Sequence, residues 1–136
     1  MKEVESLHQK KKYALSNLTV GGRVRCPKSA QPSPSAYAIT AEGDCLLPEY
    51  KSGDIMVFDP EKPPELGDLV VIWWKDETIQ PLIKRLLLPL PPKKYWEAGG
   101  EAQMAICVEM LNPPETFIIK TSDVTAVHKV IHVIRT

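Results

Sequence analysis

The chain has 136 residues, with 17 lysines and arginines, 17 aspartates and glutamates, and a formal net charge of zero at pH 7. This length fits one domain with a proper core, and the balanced charge creates no field toward nucleic acid, so we expect no direct DNA binding. No apolar run approaches the ~20 residues that span a bilayer and no signal peptide opens the sequence, which predicts a cytoplasmic protein without a membrane partner.

The first 35 residues are predicted to form a tail and a linker. Residues 1–18 combine the basic run Lys10-Lys11-Lys12 with a patchy helical stripe of apolar residues, which predicts a short helix. Residues 25–35 contain three prolines and several serines, and each proline removes a backbone donor and fixes its own φ angle. We therefore expect an extended linker there and a folded domain over residues 36–136.

The rest of the chain predicts a mainly β fold. Short apolar runs are separated by turn residues, and they cover residues 37–41, 55–58, 69–74, 79–87, 104–110, 116–120 and 124–134. The polar segment Lys75-Asp76-Glu77-Thr78 predicts a hairpin between two of these runs. Residues 88–100 contain three prolines and a Gly-Gly pair, which predicts a surface loop. We expect helix only as single turns, around residues 47–51.

Four short motifs follow one another through the first half of this domain. They are Gly43-Asp44-Cys45-Leu46-Leu47-Pro48, Ser52-Gly53-Asp54, Gly67-Asp68 and Lys84-Arg85-Leu86. Gly53-Asp54 and Gly67-Asp68 are expected to be structural turns, each of which leads into a strand. Together they resemble the LexA/UmuD-like self-cleaving repressor peptidases, in which the first motif carries a nucleophilic serine at the position of Cys45 and methionine in place of Leu46. The resemblance extends from Ala36 to the end of the chain. It implies a curled all-β domain of the LexA/signal-peptidase type.

The resemblance assigns the chemistry to Cys45 and Lys84. Peptide-bond cleavage needs an activated nucleophile, a base for its proton and donors for the oxyanion. Cys45 corresponds to the family's nucleophile and Lys84 to its general base, whereas the neighbouring Arg85 cannot release its proton and is expected to be a surface cation. Gly43 and Asp44 permit a tight turn, and by analogy the backbone amide of Cys45 is the oxyanion donor.

Two readings of the cysteine remain open. A thiol is a strong nucleophile, so cysteine can replace serine in an active site, but the same change can mark a site that has lost its activity. The family cuts its own chain at an Ala-Gly or Cys-Gly bond, which is missing before Cys45; Val20-Gly21 is the nearest candidate. The alternative is an inactive peptidase-like dimerisation module of a transcriptional regulator.

The resemblance also indicates partners. We expect a homodimer, the chain's own N-terminal segment as substrate, and, as in relatives, stimulation by a recombinase filament. No cofactor is expected, because the three cysteines are widely spaced and His128 and His132 have no evident third metal ligand. The cysteines are expected to be free thiols. Trp73 and Trp74 are expected on opposite faces of their strand.

Overall fold

The computed structural model describes residues 2–8, 20–41, 43, 48–96 and 104–135. They form nine strands, β1 (Lys2–His8), β2 (Val20–Cys26), β3 (Tyr37–Thr40), β4 (Ile55–Asp59), β5 (Leu69–Trp74), β6 (Leu82–Leu86), β7 (Ala105–Leu111), β8 (Pro114–Lys120) and β9 (Val124–Ile134). The described residues also include three short 3₁₀ helices, Lys28–Ala30, Lys93–Tyr95 and Thr121–Asp123. The prediction of a mainly β fold with only short helical turns is confirmed, but the described residues 48–51 form a non-helical turn and not the helical turn expected there.

The strands form one sheet in the order β2-β1-β3-β4-β9-β5-β6-β7-β8. β1 and β3 are parallel, and the other neighbours are antiparallel. The predicted hairpin is present, since Ile72 of β5 pairs with Leu82 of β6. β9 is the last strand in the chain but lies between β4 and β5, so the centre of the sheet is completed by the final residues.

Apolar side chains cover both faces of the central strands. In β5, Leu69, Val71 and Trp73 belong to one core cluster, whereas Val70 and Ile72 belong to another. Trp74 packs against the second cluster, which confirms that the two tryptophans point to opposite faces. A strand buried on both faces needs a continuous apolar run rather than strict alternation, and Leu69–Trp74 has one.

Both Gly-Asp pairs are turns that precede strands, as predicted. Gly53 has φ 98° and Gly67 has φ 91°, a backbone conformation that other L-residues rarely adopt. The aspartates close these turns in the same way: the Asp54 carboxylate accepts a hydrogen bond from Lys51 N (3.0 Å), and the Asp68 carboxylate accepts one from Glu65 N (2.8 Å). Each pair therefore leads directly into a strand, β4 or β5.

The N-terminal residues differ from the prediction. The short helix predicted over residues 1–18 is wrong for Lys2–His8, which is a strand paired with β2 and β3. Tertiary pairing overrides weak helical periodicity when a sheet edge is available to receive the segment. The expected linker contains the end of β2 and a 3₁₀ helix, and Cys26 within it is fully buried. The domain boundary at residue 36 stays a prediction.

The other expectations have mixed outcomes. The strand expected over residues 79–87 is shorter, Leu82–Leu86, and the proline-rich segment after it contains the 3₁₀ helix Lys93–Tyr95. The described residues include no helix that is long and apolar enough to cross a bilayer. Cys26 and Cys107 carry free thiols.

Candidate functional site

The segment that contains Cys45 connects β3 to β4, and its described ends are tied together. Ala41 N donates to Asp54 O (2.8 Å), and Gly53 N donates to Ala41 O (2.8 Å). Gly43 has φ 90°, and its amide donates to the Ser52 hydroxyl (3.2 Å). A Cβ at Gly43 would meet no atom of the described residues within 4 Å, and the positive φ angle is what favours glycine there.

Glu49, four residues after Cys45, links this segment to β6 and β9. Its carboxylate pairs with both terminal nitrogens of Arg85, with Nη1 at 3.2 Å from Oε1, and its carbonyl accepts a hydrogen bond from Arg135. Arg135 also lies over the Tyr50 ring at 4.6 Å and 3.5 Å from the buried Asp54 carboxylate. We call Glu49, Arg85, Arg135 and Asp54 the loop anchor.

The prediction that Arg85 is a surface cation is wrong. Its side chain is only 26% exposed, and it forms a bidentate pair with Glu49. The hydrogen bond from Arg85 holds the pKa of Glu49 below its ordinary value, so the pair is charged at neutral pH. No sequence motif marked Glu49 or Arg135, because their meeting depends on β6 and β9 lying near the β3–β4 connection.

Lys84, the predicted base, is buried, with 6% exposure. It shares one face of β6 with Leu86, which belongs to the second core cluster, and with Leu82, which packs against that cluster, while Ile83 belongs to the first. Its ammonium nitrogen lies 3.3 Å from the Ile83 carbonyl oxygen. Burying a charged side chain is costly unless it is paired, so a buried lysine is a candidate for function.

Cys45 and Asp44 lie outside the described residues, so the approach of Cys45 to Lys84 stays a prediction. Arg85 is adjacent to Lys84 but points to the other face of β6, and Tyr50 packs against the first core cluster. The loop anchor therefore attaches the end of the Cys45 segment beside β6 without determining the distance between thiol and amine. Gly43 lies at the start of the same connection.

His128 belongs to a hydrogen-bond network in the described structure. His128 Nδ1 lies 2.6 Å from the Tyr37 hydroxyl, and Trp73 Nε1 donates to the same oxygen at 2.6 Å. Among the described residues, no group of three or more histidine, cysteine, aspartate or glutamate side chains could hold a metal ion. The sequence contained no sign of the Trp73–Tyr37–His128 network, because its members come from three distant strands.

Comparison with known proteins agrees with the motif-based resemblance. Residues 3–96 match the family described as Peptidase S24-like, which is more than half of the chain. The chain is also 28% identical over 109 residues to "Repressor protein C" of Rhizobium phage 16-3, a match that covers 79% of this chain and 39% of the phage protein. The chain thus spans well under two thirds of that relative's length. On the extent of the family match, the chain belongs to the Peptidase S24-like family.

Proposed function

We propose that this chain is the peptidase domain of a repressor-type regulator and cuts its own polypeptide with Cys45 as nucleophile and Lys84 as general base. The observation that carries the proposal is the burial of Lys84 in a chain with the family's motifs. Buried lysines are the ones that enzymes use as general bases, whereas a guanidinium stays protonated. The similarity to a phage repressor favours a regulator as the setting.

The reaction would proceed through an acyl-enzyme. Lys84 takes the Cys45 proton, and the sulfur attacks a carbonyl carbon of the upstream chain to form a tetrahedral intermediate. Collapse of the intermediate breaks the C–N bond, and the protonated lysine gives its proton to the leaving amine. Water then attacks the thioester, which releases a carboxylate and regenerates the thiol. The N-terminal segment is thus the substrate.

The candidate bond Val20-Gly21 lies in β2, at the edge of the sheet. Leu7 pairs with Val20 and Ser6 pairs with Gly22, so Gly21 is the extra residue of a β-bulge. A bulge interrupts the ladder locally, and a peptide bond must leave the ladder before it can enter an active site. This favours Val20-Gly21 over a bond within a regularly paired strand.

The decisive experiment follows intact mass against time at mildly alkaline pH for the native chain, Cys45→Ser, Lys84→Ala and the matched control Lys94→Ala, an exposed lysine. We expect native and Lys94→Ala to yield two fragments whose masses add up to the intact mass plus one water. Lys84→Ala should stay intact. The fragment masses identify the bond that is cut.

A thiol probe tests the nucleophile separately. Burial, followed by the charge of Asp59, raises the pKa of the Cys26 thiol, so an electrophile should spare it, but Cys107 is half-buried and would react. The probe is therefore applied in a Cys107→Ser background. A native chain that gives neither fragments nor an adduct at Cys45 would rule out the proposal.

The second candidate function is an inactive module that dimerises. It is favoured by Cys45 in place of serine and by β8, the end strand of the sheet, on which Ile118 is 73% exposed. An edge strand with an exposed apolar side chain is suited to pairing with a second copy. If Cys45→Ser cuts itself while the native chain does not, the fold can support self-cleavage and the cysteine in place of serine has abolished that activity.

Sedimentation velocity at micromolar concentration tests the dimer. We expect a native dimer that Ile118→Lys shifts toward monomer, because a charge in the paired edge must be desolvated. Ile79→Lys is the control, since Ile79 is an isoleucine exposed in the β5–β6 turn. A monomeric native protein would exclude the dimerisation module.

A further inference from the structure

A groove of about 440 Å³ lies between residues 60–64 after β4, residues 89–96 after β6, and residues 126–128 of β9. We call it the proline groove. Its volume is in the range of sites that bind small organic molecules. Its described lining residues do not include Lys84 or Gly43, so the proposed function does not account for it.

The walls of the groove are apolar and rigid. Pro60, Pro63, Pro64 and Pro89 contribute rings whose φ angles are fixed and which have no N–H to offer. Trp96 is 5% exposed, and its indole N–H donates to the Pro91 carbonyl at 2.8 Å. Such walls need little ordering when a ligand binds, and this preorganisation reduces the entropic cost of binding.

His128 provides a donor whose tautomer is determined by its neighbours. The Trp73 indole N–H can only donate, so the Tyr37 oxygen accepts it and the Tyr37 proton must go to His128 Nδ1. Burial raises the pKa of Tyr37, which keeps the phenol protonated. Burial, and then the charge of Lys93, lowers the pKa of His128 and favours the neutral ring. His128 therefore carries its proton on Nε2.

The polar side chains that line the groove are complementary to an anion. His128 lines it with Nδ1 already engaged, so Nε2–H is the nitrogen left for a ligand. Lys93 is the cation of the lining, and its ammonium nitrogen lies 5.9 Å from the Trp96 ring centroid. The described lining residues include no carboxylate. A neutral N–H donor and a cation beside apolar walls match a carboxylate on an apolar body.

We propose that the proline groove binds a small apolar carboxylate, which accepts a hydrogen bond from His128 Nε2 and pairs with the Lys93 ammonium. The apolar part of the ligand packs against the proline rings and Trp96. Tyr37 and Trp73 act as positioning residues, since they orient His128 without lining the groove.

The test uses 2-naphthoate as probe and 2-naphthamide as its uncharged counterpart, titrated calorimetrically into the full chain. We expect saturable binding of the naphthoate, and at least about tenfold weaker binding of the amide, since a charge-assisted hydrogen bond contributes about this factor. Lys93→Met should weaken naphthoate binding by about tenfold, whereas its matched control Lys94→Met, an exposed lysine outside the groove lining, should not.

A second pair of variants tests the histidine. His128→Ala should weaken naphthoate binding by tenfold or more, whereas His132→Ala, which changes a histidine of the same strand outside the groove, should leave it unchanged. Thermal unfolding checks that each variant is folded. If His128→Ala does not fold, the naphthoate affinity of Lys93→Met alone decides the outcome. Lack of saturation at millimolar naphthoate, equal affinity for the amide, or unchanged affinity in Lys93→Met would each overturn the proposal.

Discussion

At the scale of single residues, buried charges define the points where distant segments meet. Asp59 is fully buried at the end of β4, and its carboxylate accepts hydrogen bonds from Ser33 N (2.8 Å), the Ser33 hydroxyl (2.6 Å) and Glu61 N (3.0 Å). Lys62 forms an ion pair with it at 3.3 Å. The carboxylate thus connects the proline-rich segment before β3 to the β4–β5 connection.

We predict that Asp59→Asn lowers the free energy of unfolding at pH 7 by about 1–3 kcal/mol, because the amide cannot accept all of these hydrogen bonds. Urea unfolding at pH 7 measures the loss. Asp76→Asn is the control: its carboxylate accepts hydrogen bonds from Thr78 at an exposed site, so the loss should be much smaller. Equal losses for the two variants would contradict the importance of burial.

Asp59 also makes the stability of the protein depend on pH. Burial by itself raises the pKa of Asp59, but hydrogen bonds from Ser33, Glu61 and Lys62 outweigh it and keep the pKa below its ordinary value. A lowered native pKa contributes stability that is present above the unfolded value of ~3.9 and is lost as the pH falls through the native value. The stability difference between native protein and Asp59→Asn should therefore narrow below about pH 4 in urea titrations.

At the scale of elements, the sequence located most strands and both Gly-Asp turns, because their signals are local. It did not locate the loop anchor, since Glu49, Arg85 and Arg135 come from three separate parts of the chain. The helix predicted for the residues of β1 was also wrong, because these residues pair with β2 on one side and with β3 on the other. Whether a weakly patterned segment becomes a helix or a strand is decided by the neighbours that it finds.

We predict that the double variant Arg85→Gln, Arg135→Gln loosens the β3–β4 connection while the fold stays intact. The arginines of the loop anchor are partly exposed, so loss of their ion pairs should lower the free energy of unfolding by less than about 1 kcal/mol. Hydrogen exchange at the Ala41 and Gly53 amides should become several-fold faster, because local opening needs less energy than global unfolding.

Two internal comparisons make this test specific. The Lys75 amide, which donates to Asp123 O at 2.9 Å, should exchange at an unchanged rate. Arg25→Gln, which removes an exposed arginine of β2, should leave the Ala41 and Gly53 amides as in the native chain. Unchanged exchange at both amides in the double variant would show that the loop anchor does not restrain the connection.

At the scale of the whole molecule, the sheet depends on its last strand. Residues 129–134 of β9 pair with β4, and residues 124–129 pair with β5. Met56, Val57 and Phe58 of β4 are fully buried. Without β9, no strand connects β4 to β5, and the sheet is divided into the part that ends at β4 and the part that starts at β5.

We predict that deletion of residues 130–136 abolishes cooperative unfolding, because all but one of the β4–β9 residue pairs are lost. Far-UV circular dichroism during urea titration measures the transition. Deletion of residues 135–136 is the control and should keep a cooperative transition, since β9 ends at Ile134 and all of its described pairs with β4 are retained. A native-like transition after the longer deletion would contradict the central role of β9.

The sequence by itself determined the mainly β class, the hairpin between β5 and β6, the turns at Gly53 and Gly67, and the family, through motifs of a few adjacent residues. These features follow from local alternation, turn chemistry and residue identity. Only the tertiary structure decided that β9 lies between β4 and β5, that Glu49 meets Arg85, and that Trp73 and Tyr37 orient His128. Such contacts join residues far apart in the chain, and their partners are chosen by packing and burial rather than by any local pattern.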